Sequence, residues 1–199
     1  MNLKYERAFD YFSTLIKSYN YKTPLVIAFD GRSSSGKTTL ANRLANAFNI
    51  PVIHTDDFYR PKDKNGNLSI TEHDGNFDLK RFQNEVVDCI KTQKAFKYGI
   101  FDCQMQRIEQ YVEVPISKCY IIEGAYSLNP YLGDYADIKV FFDIEHDLQK
   151  NRIINRNGEQ GYERFKEIWL PAEERYLEHY RIFDRCNIII KNKETIKST

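Results

Sequence analysis

The residues most suited to chemistry form one glycine-rich segment near the start of the chain. Residues 31–38, GRSSSGKT, match the pattern G-x-x-x-x-G-K-[ST] at every fixed position. In such a segment the glycines let the backbone curl so that successive N–H groups face phosphate oxygens, and the following helix adds positive charge. We therefore predict a nucleotide-phosphate site formed by Gly31, Ser33, Ser34, Ser35, Gly36, Lys37, Thr38 and Thr39.

Two residues of this segment have separate expected roles. Lys37 is expected to reach the β and γ phosphates as a compact cation, and the Thr38 hydroxyl is expected to bind Mg²⁺. The sequence on either side supports this interpretation: residues 25–29 form a buried apolar run, and apolar side chains recur every four positions in residues 40–48. A chance match in a serine-rich turn is the alternative, and this strand-then-helix setting argues against it.

Carboxylates follow two other apolar segments. Asp56 and Asp57 come after residues 51–54 (PVIH), and Glu123 comes directly after residues 119–122 (CYII). Phosphoryl transfer to a hydroxyl needs a carboxylate near the acceptor proton and oxygen ligands for Mg²⁺. One of the two aspartates could take the proton while the other binds a water on Mg²⁺, and Glu123 is expected to bind the Mg²⁺ shell. Capping of the next segment is the structural alternative for these side chains.

A pair of arginines could supply positive charge to the same reaction. Arg152 and Arg156 are four positions apart in a charged segment, so they would share one face of a helix. Such a pair can close over a triphosphate and stabilise the transferring charge, although surface arginines on charged helices are often simply solvated. With Asp56 and Lys37, these arginines complete the predicted catalytic set.

Length and composition limit the class of protein. A chain of 199 residues with 42% hydrophobic and 29% charged residues fits one globular domain spanning 1–199. The net charge is +1 without a basic stripe, which argues against a nucleic-acid partner, and no apolar run is long enough to suggest a membrane. Four cysteines without metal-ligand spacing are expected to be buried small hydrophobes, which fits a cytoplasmic protein. A homo-oligomer is compatible with these features.

Strand-like and helix-like segments alternate along the chain, which predicts a parallel sheet covered by helices on both faces. Ligands of such sheets bind beyond the carboxyl ends of the strands, where the polar segments described above occur. A segment rich in Pro, Gly, Asn and Asp, residues 61–75, predicts a long mobile loop. The predicted strands are 25–29, 51–54, 119–122, 138–142 and 188–190, and the predicted helices lie at 1–20, after the glycine-rich segment, around 82–90, at 147–155 and from about 162.

These segments together resemble the uridine kinase family and its relatives, the nicotinamide riboside kinases and phosphoribulokinases. The similarity runs from about residue 25 to residue 190, and it is carried by DGRSSSGKTTLA, HTDDFYRP, NFD, IIEG, VFFD and LPAEERY. It implies a P-loop NTPase fold of the nucleoside-kinase type, with three α/β/α layers, a five-stranded parallel sheet and a small helical lid at about 147–165. It also implies ATP or GTP as the phosphoryl donor, Mg²⁺, and a small-molecule acceptor, most directly the 5′-hydroxyl of a nucleoside.

The resemblance also suggests individual roles. Asp56 holds the family's place for the catalytic base before F-Y, which leaves Asp57 for the metal. Asp78 resembles the carboxylate that grips sugar hydroxyls, and Tyr59 and Phe77 resemble aromatic residues that flank the acceptor.

One departure concerns the acceptor. Uridine kinases follow an aromatic–aspartate element with another aromatic residue and then a histidine that contacts the pyrimidine. Here Cys103 follows residues 101–102, and Gln106 stands about where that histidine would be. Gln106 can still donate and accept hydrogen bonds, so it is the predicted base-reading residue. Nicotinamide riboside or another hydroxylated metabolite remains an alternative acceptor. A nucleotide-dependent switch is a weaker alternative, because the guanine-reading pattern N-K-x-D is absent.

Overall fold

Six short strands form one parallel sheet at the centre of the molecule. The structure is a computed structural model, and it describes residues 1–20 and 22–193. The strand order is β1-β8-β7-β2-β6-β3, and every neighbouring pair is parallel. The strands are β1 (Asn2–Lys4), β2 (Leu25–Gly31), β3 (Val52–His54), β6 (Cys119–Glu123), β7 (Ile138–Ile144) and β8 (Ile188–Asn192), and a separate antiparallel hairpin consists of β4 (Phe96–Asp102) and β5 (Arg107–Val114).

Helices cover both faces of the sheet. On one face, Phe12 and Leu44 from two helices pack on strand residues such as Ile27. On the other face, Phe82 and Tyr176 pack in a second cluster. The three-layer α/β prediction is therefore confirmed. The helices are α1 (Tyr5–Ser18), α2 (Lys37–Phe48), α3 (Leu79–Phe82), α4 (Asp88–Lys91), α5 (His146–Arg164) and α6 (Leu170–His179); π-helical turns at Gln83–Val87 and Phe165–Trp169 join α3 to α4 and α5 to α6.

The sheet has one strand more than the predicted five. Residues 2–4, which were predicted to belong to an N-terminal helix, pair instead with β8 in the register Leu3↔Ile190. Three residues are too few for a periodic pattern, and their extended conformation comes from the partner strand rather than from local preference. The helix itself begins at Tyr5, and its Phe12 is fully buried.

Other sequence predictions differ from the structure in detail. The hairpin β4–β5 was not predicted, and its register shifts between Ile100 and Phe101. The two helices expected at 147–155 and from about 162 are both present within α5, but they meet at a kink at Gly158, whose backbone is non-helical, rather than being separated by a loop. All four cysteines are free, but only Cys119 is buried as predicted; Cys89 and Cys186 are half-buried, and Cys103 is exposed. Among the described helices, none combines the length and the hydropathy of a transmembrane span.

The segment 61–75 forms a loop without helix or strand, as predicted. Backbone N–H groups of Asn65 and Asn67 both donate to Asp63 Oδ1, and a single bridge joins Thr71 to Gly75. Its expected mobility stays a prediction.

The sheet register brings the three polar segments to one edge. Strand β6 lies between β2 and β3, and Glu123 at its end is level with Phe29 on one side and His54 on the other. The loop after β2, the carboxylate that ends β6 and the 3₁₀ turn after β3 (Thr55–Asp57) are consequently neighbours.

Candidate active site

The loop between β2 and α2 has the geometry of a phosphate-binding loop. Gly31 has φ 120°, and a Cβ there would lie 2.3 Å from the Phe142 carbonyl oxygen, so the backbone leaves no room for a side chain. Lys37 is 8% exposed, and its Nζ donates to the carbonyl oxygens of Gly31 at 2.8 Å and Arg32 at 2.9 Å. Because an ammonium group has three donors, one remains for a phosphate. Ser35 Oγ is buried and has no hydrogen-bond partner among the described residues, as expected of a group that awaits a ligand.

Residues far along the chain hold the carbonyl oxygens of this loop. Gln149 donates to Ser33 O at 3.0 Å, and Arg152 Nη1 donates to Ser34 O at 3.1 Å. Asn192 donates to Ser35 O at 3.0 Å. These bonds tie the loop to α5 and β8, so its shape is a property of the folded sheet rather than of the glycines alone.

The two predicted lid arginines have different environments. Arg152 is half-buried against the loop, as its bond to Ser34 requires. Arg156 is exposed, its Nε donates to Asn157 Oδ1 at 2.8 Å, and its guanidinium lies 5.6 Å from the centroid of the Phe165 ring. The structure thus brings Arg152, but not Arg156, to the phosphate loop.

Glu173 on α6 also contacts the loop, and the sequence interpretation missed it. Its carboxylate accepts from the backbone N–H of Ser33 at 2.8 and 3.0 Å and from Ser33 Oγ at 2.6 Å. Glu173 is 4% exposed, and burial raises the pKa of its carboxyl group. Next to it, Glu174 forms an ion pair with Arg32. Ser33, which was predicted to bind phosphate, is engaged by a carboxylate in this structure.

Asp30, immediately before the loop, joins three parts of the fold. Its Oδ1 accepts from the backbone N–H of Gly31 at 2.6 Å. Its Oδ2 accepts from the backbone N–H of Leu128 at 2.8 Å and from the Tyr176 hydroxyl at 2.6 Å. The residue is 0% exposed, and burial raises the pKa of its carboxyl group. Asp30 therefore connects the loop to the segment after β6 and to α6.

At the end of β6, Glu123 contacts two polar side chains. The Thr38 hydroxyl lies 3.1 Å from each of its carboxylate oxygens, and His54 Nδ1 lies 2.5 Å from Oε1. The hydrogen bond to Glu123 raises the pKa of His54. The next residue, Gly124, has φ 133°, and a Cβ there would meet Thr55 Oγ1 at 1.9 Å, so the close approach of β6 and the 3₁₀ turn requires glycine.

The oxygen atoms of Thr38 and Glu123 fit a magnesium ion. Mg²⁺ prefers hard oxygen ligands, and it binds through one or two carboxylates together with waters and substrate phosphates. Within the part of the chain that the structure describes, no three His, Cys, Asp or Glu side chains form a preformed metal cage. A hydroxyl and one carboxylate beside a phosphate loop suit a Mg²⁺ ion that arrives bound to the nucleotide, because phosphate oxygens and waters then supply its other ligands.

The two adjacent aspartates after β3 have different surroundings. Asp56 is exposed, and its Oδ1 accepts from the Tyr59 hydroxyl at 2.7 Å. Asp57 is half-buried, its Oδ2 accepts from the Tyr98 hydroxyl at 3.1 Å, and burial raises the pKa of its carboxyl group. Arg81, which the sequence interpretation missed, donates to the Asp57 carbonyl oxygen at 2.5 Å and to a carbonyl oxygen of β4 at 2.7 Å. Asp56 is therefore open to a ligand, whereas Asp57 is held by the hairpin and α3.

The predicted acceptor residues fall into two groups. Asp78 caps α3 by accepting from Arg81 N at 3.0 Å with Oδ1 only, and its own N–H donates to Phe58 O at 2.7 Å. The segments that contain Tyr59 and Asp78 are therefore adjacent, since Tyr59 also forms an antiparallel bridge with Phe77. Phe77, in contrast, is 1% exposed within the aromatic core, so its ring offers almost no surface to a ligand.

Gln106 is engaged by the protein itself. Its Oε1 accepts from the Lys62 N–H at 2.7 Å, and its Nε2 donates to the Cys103 carbonyl oxygen at 2.5 Å. The amide therefore joins the turn of the β4–β5 hairpin to the loop 61–75. One N–H and one lone pair of the amide remain for other partners.

The family that the chain matches agrees with the phosphate-loop geometry described above. Residues 26–191 match the model of the phosphoribulokinase / uridine kinase family. The chain belongs to this family.

Members of the phosphoribulokinase / uridine kinase family with curated names are distant relatives. A uridine kinase of Ureaplasma parvum is 26% identical over 159 residues, which cover 75% of this chain and 76% of that protein. A uridine kinase of Limosilactobacillus reuteri is 30% identical over 148 residues, which cover 68% of this chain and 66% of that protein. A solved structure titled a possible uridine kinase from Bacillus stearothermophilus has a TM-score of 0.69 at 21% identity, covering 93% of this chain and 98% of that one.

Family membership makes this chain a P-loop kinase, that is, a phosphotransferase that takes its phosphoryl group from a nucleoside triphosphate. The family and fold expected from the sequence resemblance are therefore confirmed. The family name itself covers a sugar-phosphate acceptor and a nucleoside acceptor, so the identity of the acceptor must be argued from the residues of this chain.

Proposed function

We propose that the protein transfers the γ-phosphoryl group of ATP or GTP to a hydroxyl group of a small molecule, most directly the 5′-hydroxyl of a nucleoside. The observation that carries this proposal is the position of Asp56. Its carboxylate is exposed on the turn after β3, and β3 is separated from the phosphate-loop strand β2 only by β6. A hydroxyl that contacts Asp56 can thus face a phosphate held in the loop.

The donor phosphates are bound by the loop 31–38. Lys37 contributes its remaining N–H to the β and γ phosphates, and Ser35 Oγ contributes a buried donor that has no other described partner. Thr38 and Glu123 would hold Mg²⁺, which neutralises charge on the phosphates when bound, and Asp57 would support it through water. Arg152 and Arg156, on the lid at about 147–165, would stabilise the transferring charge, and Arg156 would need to turn toward the loop to do so.

In the reaction, the acceptor oxygen attacks the γ-phosphorus and its proton passes to the Asp56 carboxylate. The bond from the γ-phosphorus to the bridging oxygen of the β-phosphate breaks, and the nucleoside diphosphate leaves. The hydrogen bond from Tyr59 fixes one oxygen of Asp56, which leaves Oδ2 for the acceptor proton. A positioned base of this kind contributes roughly 10²–10⁴ in rate.

A ribose-containing acceptor is favoured by Asp78. Only one of its carboxylate oxygens caps α3, so the second can accept hydrogen bonds from vicinal hydroxyls. Base reading by Gln106 is limited, because the protein already uses half of the hydrogen-bonding capacity of its amide. This observation favours nicotinamide riboside, or another acceptor without a pyrimidine, as the second candidate.

The proposal is tested by acceptor-dependent ADP release. Uridine, cytidine, nicotinamide riboside, D-ribose and D-glycerate would each be supplied with MgATP, after a thermal-shift screen of the same compounds with a non-hydrolysable ATP analogue. We expect ADP release to depend on a nucleoside acceptor. Slow ATP hydrolysis at a rate that no acceptor changes would indicate a nucleotide-dependent switch instead.

A further inference from the structure

Trp169 lies beside the proposed acceptor site, at the end of the π-helical turn that joins α5 to α6. It is the only tryptophan of the chain, and it is half-buried. Its ring centroid lies 6.3 Å from that of Tyr59, with 31° between the ring planes. π-Helical turns recur at functional sites because they displace one residue from the regular helical face.

Tyr59 links this indole to Asp56. The Tyr59 hydroxyl donates to Asp56 Oδ1 at 2.7 Å, and the Tyr59 backbone forms a bridge with Phe77, whose ring is fixed in the core. The Tyr59 ring therefore has little freedom to move. This ring lies between the Asp56 carboxylate, to which its hydroxyl is hydrogen-bonded, and the Trp169 indole.

We propose that Trp169 is a specificity-determining residue whose indole, together with Tyr59, stacks on the planar heterocycle of the acceptor. The proposal rests on the proposed function, because it takes the acceptor hydroxyl to be at Asp56. A nucleoside has the required shape: its 5′-hydroxyl is at one end and its flat base at the other.

Stacking also agrees with the remaining contacts of the site. Gln106 has limited capacity for reading base edges, and the aromatic faces of Tyr59 and Trp169 recognise a ring without regard to its edge. A site of this kind should accept several bases but discriminate against acceptors that have none. An aromatic face can also pack on a sugar ring, so the test compares acceptors with and without a base.

The single tryptophan provides a direct binding signal. Wild-type protein with a non-hydrolysable ATP analogue would be titrated with uridine, cytidine, nicotinamide riboside, D-ribose and D-glycerate, while tryptophan emission is recorded. We expect saturable quenching by the nucleosides and no change with D-ribose or D-glycerate. Quenching by ribose alone to the same extent, or no quenching by a nucleoside that is phosphorylated, would overturn the proposal.

Kinetics of two variants separate stacking from packing. Trp169→Leu keeps an apolar side chain but removes the aromatic face, and we expect kcat/KM for nucleosides to fall at least about tenfold, mainly through KM, since stacking on a base is typically worth that much or more. Turnover of any acceptor without a base should be unchanged. Trp169→Phe should retain most of the nucleoside activity. Phe183→Leu is the matched control, because Phe183 is another partly exposed aromatic residue and packs on Phe141 instead.

The outcomes distinguish this inference from the proposed function. Equal losses for nucleosides and base-free acceptors, or full nucleoside activity in Trp169→Leu, would overturn the role of Trp169 and leave the kinase intact. Phosphorylation of base-free acceptors alone by the wild type would overturn both the nucleoside acceptor and the stacking. If Trp169→Leu does not fold, the wild-type titration and Trp169→Phe still decide.

Discussion

Replacing Tyr176 with phenylalanine tests whether the buried Asp30 carboxylate depends on its hydroxyl donor. Both residues are 0% exposed, and the Tyr176 hydroxyl lies 2.6 Å from Asp30 Oδ2. The substitution removes one oxygen atom and keeps the ring, so the packing of α6 against the core is preserved. Any loss of stability then reports on the hydrogen bond.

The expected magnitude follows from the partners that remain. After the substitution, Asp30 still accepts from Leu128 N and Gly31 N, so it loses one bond of three. A hydrogen bond to a charged group is worth about 1.5–3 kcal/mol, and we expect Tyr176→Phe to lower the free energy of unfolding by that amount. For a protein of this size the loss corresponds to a fall in Tm of about 3–12 °C.

Tyr135→Phe is the matched control. The Tyr135 hydroxyl donates to the carbonyl oxygen of Ser127 at 2.6 Å, so the geometry is similar but the acceptor is neutral. Its loss should cost only about 1 kcal/mol. Urea unfolding of both variants at pH 7 measures the difference, and a double-mutant cycle with Asp30→Asn should show coupling of about 0.5–3 kcal/mol between positions 30 and 176. Equal losses in the two tyrosine variants, or no coupling in the cycle, would refute the claim that the buried Asp30 side chain depends on the Tyr176 hydroxyl.

Three further predictions concern the site. Asp56→Asn should lower kcat at least about a hundredfold with little change in KM, whereas Asp57→Asn should chiefly alter the Mg²⁺ dependence of the rate. If steady-state kinetics show the opposite pattern, Asp57 is the base and Asp56 supports the metal. Because burial raises the pKa of Glu173, the folded wild type loses stability as pH rises above the ordinary glutamate pKa. A glutamine at this position cannot ionise, so the urea midpoint of Glu173→Gln should rise relative to that of the wild type between about pH 4 and 7. A difference between the two midpoints that does not change with pH would contradict this prediction. If Asp78 binds a cis-diol, 2′-deoxynucleosides should have a kcat/KM lower by roughly 5- to 150-fold, and Asp78→Asn should narrow that difference; equal use of both sugars would exclude the role of Asp78.

Contiguous motifs were the part of the site that the sequence could reveal. Residues 31–38 contain the whole phosphate loop, Asp56 follows the short strand β3, and Glu123 ends the apolar strand β6. The rule that carboxyl ends of parallel strands share one edge of the sheet was enough to place these groups together. The register of β2, β6 and β3 agrees with that prediction.

Contacts made over long sequence separations could not be predicted in this way. Glu173 and Asn192 reach the phosphate loop from positions 140 and 157 residues away. No local periodicity distinguishes them from other polar residues on a helix or at the end of a strand. The role of Asp30 was also not predicted: it directly precedes the loop, and its burial and its three hydrogen-bond donors make it part of the core.

Short or tertiary-determined elements were also missed. The strand Asn2–Lys4 consists of three residues whose extended conformation depends on pairing with β8. In the hairpin β4–β5, Ile108, Val112 and Val114 lie at alternate positions of β5, but the exposed Gln110 interrupts the series and leaves no continuous strand pattern. The sequence therefore predicted the architecture correctly and undercounted its strands.

The central claim is transfer of the γ-phosphoryl group from the loop 31–38 to an acceptor hydroxyl, and γ-labelled ATP tests it most directly. A single-turnover experiment would follow the label with and without a nucleoside acceptor, in the wild type and in Lys37→Ala, with circular dichroism to establish that the variant is folded. We predict that the label appears on the acceptor, that an equal amount of ADP forms, and that the folded variant loses the transfer almost completely. Label that appears only as inorganic phosphate at a rate independent of the acceptor, or near-normal transfer by folded Lys37→Ala, would contradict the account.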